Sequence, residues 1–261
     1  MSKKMITMCV LVVFLSISNS LASDLEKEKR WADQVVDSLL DGEEYFLNDG
    51  ENDFLSLITA SEEGNSSLGA VVIHGTGVHP NWADVIQPIR VGLTETGWNT
   101  ISIQMPVLGN EASHDDYTSV FPEAPARIEV AVSHLKKELA VKRVVLIAHS
   151  LGSSMTAYYL TRDNPDIDGF IAIGMGAGGS HPDRNNIEFL KLIKLPMLDL
   201  SGSEDLESVV NSHGVRKKSQ AHNPAYTQII ELGADHFFDG EEEALLNHVN
   251  DWLTKLQATW H

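Results

Sequence analysis

From Leu68 onward, six short runs rich in β-branched residues alternate with amphipathic stretches, and few folds accept that order. The runs are "LGAVVIHG" ending at Gly75, "NTISIQMP" at Pro106, "RVVLIAHS" at Ser150, "DGFIAIGMG" at Gly176, "LPMLDLSG" at Gly202 and "TQIIELGADH" at His236. Near-continuous apolar runs of this length read as strands buried on both faces. Between them lie helical patterns: Trp82 to Leu93, "APARIEVAVSHLKKELA", "LGSSMTAYYLTRD", "NIEFLKLI" and "LESVVNSHGVRKKSQA", with "EEEALLNHVNDWLTKL" closing the chain. Buried strands alternating with helices predict an α/β fold, a three-layer α/β/α sandwich around a mostly parallel sheet.

The segment ahead of this alternation is different. "DLEKEKRWADQVVDSLLDGE", 24–43, carries Trp31, Val35, Val36, Leu39 and Leu40 at helical spacing, and Gly42 is read as its end. "EYFLNDG" and "DFLSLITA" read as a hairpin with Asp49-Gly50 as the turn signal, which adds an antiparallel edge to the sheet. No linker, low-complexity tract or internal repeat interrupts the chain, so one domain over 23–261 is expected, with the helix and hairpin at 23–62 and the core at 68–261.

Residues 1–22 have the layout of a secretory leader: Lys3 and Lys4, an apolar run from Met5 to Leu15, then "SISNSLA" ending in a small-x-small pattern, with cleavage expected after Ala22. The apolar run is about half of the roughly 20 residues that a spanning helix requires. Cleavage makes the product periplasmic or secreted, with no stable membrane insertion. It also removes Cys9, the only cysteine, and with it any thiolate nucleophile, thiolate metal site or disulfide. Covalent catalysis in the mature chain therefore runs through oxygen or nitrogen. The formal charge of −18 becomes about −20 once the two leader lysines are gone, which argues against nucleic acid as a partner.

In a parallel sheet, ligands meet the loops at the carboxyl ends of the strands. Ser150 follows "VVLIA" and opens the helix starting at Leu151, so its hydroxyl would stand on a sharp turn beside free helix N–H groups. The flanking positions must be small; Gly152 satisfies this, and Ala148 replaces the usual first glycine of G-x-S-x-G with one extra methyl. The alternative is a plain N-cap serine. A serine nucleophile requires a base and an orienting acid. His236, in "GADHFF" after the last strand, has the loop position for the base; His74 also follows a strand, and His149 is a poor candidate because its side chain leaves the turn in another direction. Asp205, in "LDLSGSEDLESV", is the candidate acid, with Glu204 a possible substitute and Asp199, inside the strand, a structural residue. Two amides must hold an oxyanion: Leu151 N–H after the nucleophile, and Thr76 N–H from "HGTGVHP". Met105, Met155, Met175 and Trp82 are candidates to line an apolar acyl pocket or to fill the core.

Two other signals carry little. "GMGAGG" lacks the G-x-G-x-x-G spacing and reads as glycine backbone beside the pocket. The 11 histidines form no H-E-x-x-H or tight ligand cluster, so no metal and no cofactor is expected.

Taken together, "HGTG", "AHSLG", "GSED" and "GADHFF" resemble the α/β-hydrolase superfamily over nearly all of 68–261. The resemblance implies Ser150 as nucleophile, Asp205 as acid, His236 as base, and Thr76 and Leu151 as oxyanion donors. "HGTGVHPNWADVI", "ISIQMPVLG", "FPEAPARI" and "LPMLDLSGSEDLE" are similar to an exported bacterial branch, a domain of unknown function with no assigned substrate. The function expected is a carboxylesterase-like serine hydrolase acting on a small-molecule acyl substrate. Peptidase, thioesterase or amidase chemistry on the same residues and a non-catalytic scaffold are the alternatives. About 20 residues separate "FIAIG" from "LPMLDL", too few for a large lid. Oligomeric state is left open.

Overall fold

The computed structural model describes residues 22–64, 66–162 and 165–260. The expected leader, with Lys3, Lys4 and Cys9, lies outside the described residues except for Ala22. Eight strands form one sheet: β1 (Glu43–Asn48), β2 (Asp53–Thr59), β3 (Leu68–Ile73), β4 (Trp98–Ile103), β5 (Arg143–His149), β6 (Gly169–Ile173), β7 (Met197–Gly202) and β8 (Tyr226–Glu231). Their spatial order is β1-β2-β4-β3-β5-β6-β7-β8. The β1–β2 and β2–β4 pairs are antiparallel and every later pair is parallel, so the hairpin supplies the expected antiparallel edge.

The helices are α1 (Leu25–Asp37), α2 (Ile86–Gly92), α3 (Ala124–Glu138), α4 (Leu151–Leu160), α5 (Asn186–Leu192), α6 (Glu207–Val210), α7 (His213–Ser219) and α8 (Glu242–Gln257). Two apolar clusters sandwich the sheet. Val71, Ile73, Leu146 and Ala148 point to one face, against Ile128, Leu135 and Met155. Ala70, Val72, Val145 and Ile147 point to the other, against Ile86, Ile89, Val249 and Leu253. Alternate residues of one strand thus serve opposite layers, which is why these strands read as continuous apolar runs.

Three boundaries differ from expectation. The first helix stops at Asp37 rather than near Gly42: Ser38 Oγ donates back to Gln34 O at 2.9 Å and ends the ladder, and Leu40 is 92% exposed. Gly42 instead turns into β1 at φ +83°, where a Cβ would stand 2.6 Å from Ile58 O. The pattern from Trp82 becomes a regular helix only at Ile86 and tightens to a 3-10 turn at Leu93–Thr96. The stretch 206–221 holds two short helices because Ser212 Oγ donates to Val209 O at 2.8 Å and Arg216 reaches the same carbonyl at 2.9 Å.

Candidate active site

β5 delivers Ser150 at the carboxyl edge of the sheet, and α4 begins at the next residue. Ser150 has φ +55° and ψ −123°, a conformation that costs a non-glycine residue about 1–3 kcal/mol and persists only where surrounding structure enforces it. Tight packing supplies that enforcement. A Cβ on Gly152 would fall 2.4 Å from His74 O, and one on Gly75 would fall 2.7 Å from Ser150 Cβ. Ala148, by contrast, lies within β5 opposite Ile73 and Ala172, and its methyl joins the core at 1% exposure. The extra carbon therefore fits.

Ser150 Oγ stands 2.9 Å from His236 Nε2, and His236 Nδ1 stands 2.5 Å from Asp205 Oδ1. The buried carboxylate makes Nδ1–H the donor, which leaves Nε2 to accept the serine hydroxyl proton. Asp205 Oδ1 also accepts Leu206 N–H at 2.6 Å, while Oδ2 is buried without a partner. Glu204 is exposed, and Asp199 is buried elsewhere on an ion pair with Arg216. The Thr76 and Leu151 amides donate to no acceptor among the described residues.

His74 and His149 are placed differently from His236. His74 Nδ1–H donates to Gly75 O at 2.8 Å, and its Nε2 accepts Met105 N–H at 2.9 Å. The Gly75–Thr76 peptide is planar and trans, so fixing Gly75 O on His74 turns the Thr76 N–H to the opposite side. His149 sends Nε2–H to the His236 carbonyl at 2.9 Å, its ring 4.8 Å from that of His236. It braces the loop carrying His236 and does not approach the serine proton as a base.

Burial pulls the His74 pKa down to about 3, and burial followed by the adjacent His236 pulls His149 down to about 4. Both lie below the ordinary histidine value, so the unfolded chain takes up these protons first as pH falls. Their stabilisation is complete above about pH 6.5 and declines as pH drops through 5 towards these folded values. Each contributes a slope of about 1.4 kcal/mol per pH unit in that window. Urea unfolding between pH 6 and 4 is expected to show His149→Phe losing one such slope relative to wild type. Equal slopes would mean that His149 is not held neutral by the fold.

A cavity of about 300 Å³ opens beside Ser150. Its walls include Leu151, Ala177, Leu206 and Val209, with Gly174, Gly176 and Gly178 from the glycine-rich run. Of the two roles open to Met105, Met155, Met175 and Trp82, core filling is the one they take, and none of the four lines the cavity. Met105, Met155 and Met175 are at most 1% exposed within the core, and Trp82 packs against the opposite layer. In their place stand Ser154, Asn186, Arg184 and His114, which no strand-end motif announces. Ser154 was detectable by its position one helical turn after Ser150.

The fold that brings these strand ends together is found in solved structures. Est1E from Butyrivibrio proteoclasticus superposes with a TM-score of 0.67 at 13% identity over 83% of this chain and 99% of that one. The chain has the α/β-hydrolase fold. XC6422 from Xanthomonas campestris, described as an α/β serine hydrolase without lid, superposes at 0.64 with 14% identity, covering 82% and 94% of the two chains. The Pyrococcus furiosus esterase Pf2001 superposes at 0.66 with 16% identity over 85% and 95%. By sequence, residues 19–124 match the family described as "Protein of unknown function (DUF3530)", and 126–207 match "Lecithin:cholesterol acyltransferase". A curated relative, RP471 of Rickettsia prowazekii (strain Madrid E), is 28% identical over 123 residues, 45% of this chain. That match spans about half the relative's length, 49%. Among the described residues of this α/β-hydrolase fold, no helix is long and apolar enough to cross a membrane.

Proposed function

We propose that this chain is a serine hydrolase that cleaves an ester or related acyl bond through a covalent acyl-enzyme, with Ser150, His236 and Asp205 as its triad. The observation that carries the reading is the unbroken hydrogen-bonded path from Ser150 Oγ to Asp205 through one imidazole, built on a serine at φ +55°. The esterase neighbours and the acyltransferase-like segment support acyl chemistry.

Ser150 Oγ bonds to the substrate carbonyl carbon as its proton passes to His236 Nε2, and the carbonyl electron pair moves onto oxygen. The Thr76 and Leu151 amides, free of other acceptors, hold that oxyanion. Collapse restores the carbonyl and breaks the bond to the leaving alcohol, which takes the proton from Nε2. Water repeats the sequence on the acyl-serine, giving up its proton to His236 and releasing the acid. Asp205 remains ionised throughout and stabilises the imidazolium.

The proposed site of action is the periplasm or exterior, after leader removal at Ala22. That residue is exposed, just ahead of α1. The decisive experiment treats the exported protein with a fluorophosphonate probe beside folded Ser150→Ala and His236→Ala variants. Wild type is expected to label and both variants to fail, and the labelled chain should begin at Ser23 on N-terminal sequencing. A folded wild type that does not label would turn the reading towards a non-catalytic scaffold.

A further inference from the structure

The cavity beside Ser150 has a polar floor that an alkyl chain would leave unpaired. Ser154, in the first turn of α4, lines the same cavity as Ser150, at 5% exposure. Its Oγ accepts Asn186 Nδ2–H at 2.8 Å, and its own hydrogen has no acceptor among the described residues. Asn186 is 1% exposed; its second Nδ2 hydrogen goes to Gly176 O at 2.9 Å. This carbonyl fixes the amide orientation, because a flipped amide would face it with oxygen. Asn186 Oδ1 is consequently a buried acceptor without a donor. Arg184, 6% exposed, closes the same wall: its guanidinium is bound to His114 O and the Asp115 carboxylate, and its Nε–H is buried without a partner.

Burying the two donors, Ser154 O–H and Arg184 Nε–H, against methylene carbons costs free energy that pairing with a substrate oxygen recovers. We infer that the site is built for a short acyl group carrying an oxygen acceptor near its far end, with Ser154 O–H as the donor to it and Asn186 holding Ser154 in place. The volume of about 300 Å³ accommodates such a group. Ser150 and Ser154 line one cavity, which sets the oxygen a short chain beyond the ester carbonyl. Arg184 lies at the same end, so a carboxylate and a neutral carbonyl are the two sources of that oxygen. This inference rests on the hydrolase reading and narrows its substrate.

The test uses a near-isosteric pair, the ethyl esters of 4-oxopentanoic and 4-methylpentanoic acid, with monoethyl succinate as the anionic arm, each corrected for its rate with hydroxide. Wild type is expected to favour the oxo ester over its alkyl isostere by about tenfold or more in kcat/KM. Ser154→Ala is expected to bring that ratio close to one. Succinate hydrolysed faster than the oxo ester would identify the carboxylate as the natural acceptor, and slower hydrolysis the neutral oxygen. Fluorophosphonate labelling of each protein separates the two layers of the argument. A wild type that labels but prefers the alkyl ester, or a Ser154→Ala protein that labels and keeps the wild-type ratio, overturns the polar-floor inference alone. Absence of labelling in folded wild type removes the hydrolase reading, and this inference with it.

Discussion

Ser150→Ala, His236→Ala and the double variant are expected to fall to one common residual rate, about ten-thousand- to a million-fold below wild type in kcat for an aryl acetate. The serine cannot be deprotonated without Nε2, and Nε2 has no task without the serine, so the second removal should cost almost nothing after the first. What survives should come from the Thr76 and Leu151 amides and from substrate positioning. Ser150→Ala keeps the backbone problem of φ +55° unchanged, because alanine and serine share the same Cβ restriction. Among the described residues the Ser150 hydroxyl has only His236 as a side-chain partner, so the variant should fold as wild type. Circular dichroism and urea midpoints check that. Losses that multiply in the double variant would show that the two residues do not act as a unit. Near wild-type activity in either single variant would end the triad assignment.

Five of the six strands after Leu68 were legible because they are buried on both faces, and apolar continuity over so short a length has few other uses; β8, at the sheet edge, departs from that expectation, with Ile230 46% exposed. Helix ends were harder to read because side chains that no window average resolves decide them. Ser38 folds its hydroxyl back onto Gln34 O, and Arg216 draws the Val209 carbonyl out of a helix that periodicity alone would continue. The hairpin turn shows a middle case. Gly50 marks the place, yet the loop runs four residues, with Asp49 Oδ1 accepting the amides of Glu51 and Asn52 at 3.0 and 2.8 Å.

The candidate site divides along the same line. Ser150, Asp205 and His236 each follow a strand, and the sheet brings those three strand ends to one edge without any side-chain packing having to be known. The substrate cavity has no such rule behind it. Its floor comes from α4 and from the turn before α5, and it depends on which way helical side chains point. Hydrophobicity left the methionines open to either role; they fill the interlayer core, and the polar Ser154 and Asn186 line the cavity beside Ser150. A residue's direction on a helix is set by packing partners distant in sequence, here Asn186 across from Ser154, 32 positions away.

The same dependence on distant partners predicts the largest stability effect. Arg216 and Asp199 are both fully buried, and the guanidinium meets the carboxylate through two bonds of 2.9 and 3.0 Å. Tyr226 Oη–H and Gln228 Nε2–H also donate to Asp199, at 2.6 and 3.0 Å, and burial, followed by that carboxylate, pushes the tyrosine pKa up. Arg216→Met would leave Asp199 charged in the interior with its neutral donors alone, an expected loss of about 3–5 kcal/mol in urea unfolding. Replacing both members, Arg216→Met with Asp199→Leu, removes the uncompensated charge. It should recover about half of the loss, the remainder reflecting the stranded Tyr226 and Gln228 donors. Function should suffer as well as stability. Arg216 also holds Val209 O and Ser212, which fasten the segment after β7 that carries Asp205 and three cavity residues, Leu206, Ser208 and Val209. In the double variant, kcat should fall while the protein remains folded at 25 °C, because the aspartate loop loses its anchor even though the charge problem is gone. A loss below about 1 kcal/mol for Arg216→Met would show that the pair does not hold this end of the sheet. Full kcat in the double variant would show that Asp205 is positioned by the His236 and Leu206 contacts alone.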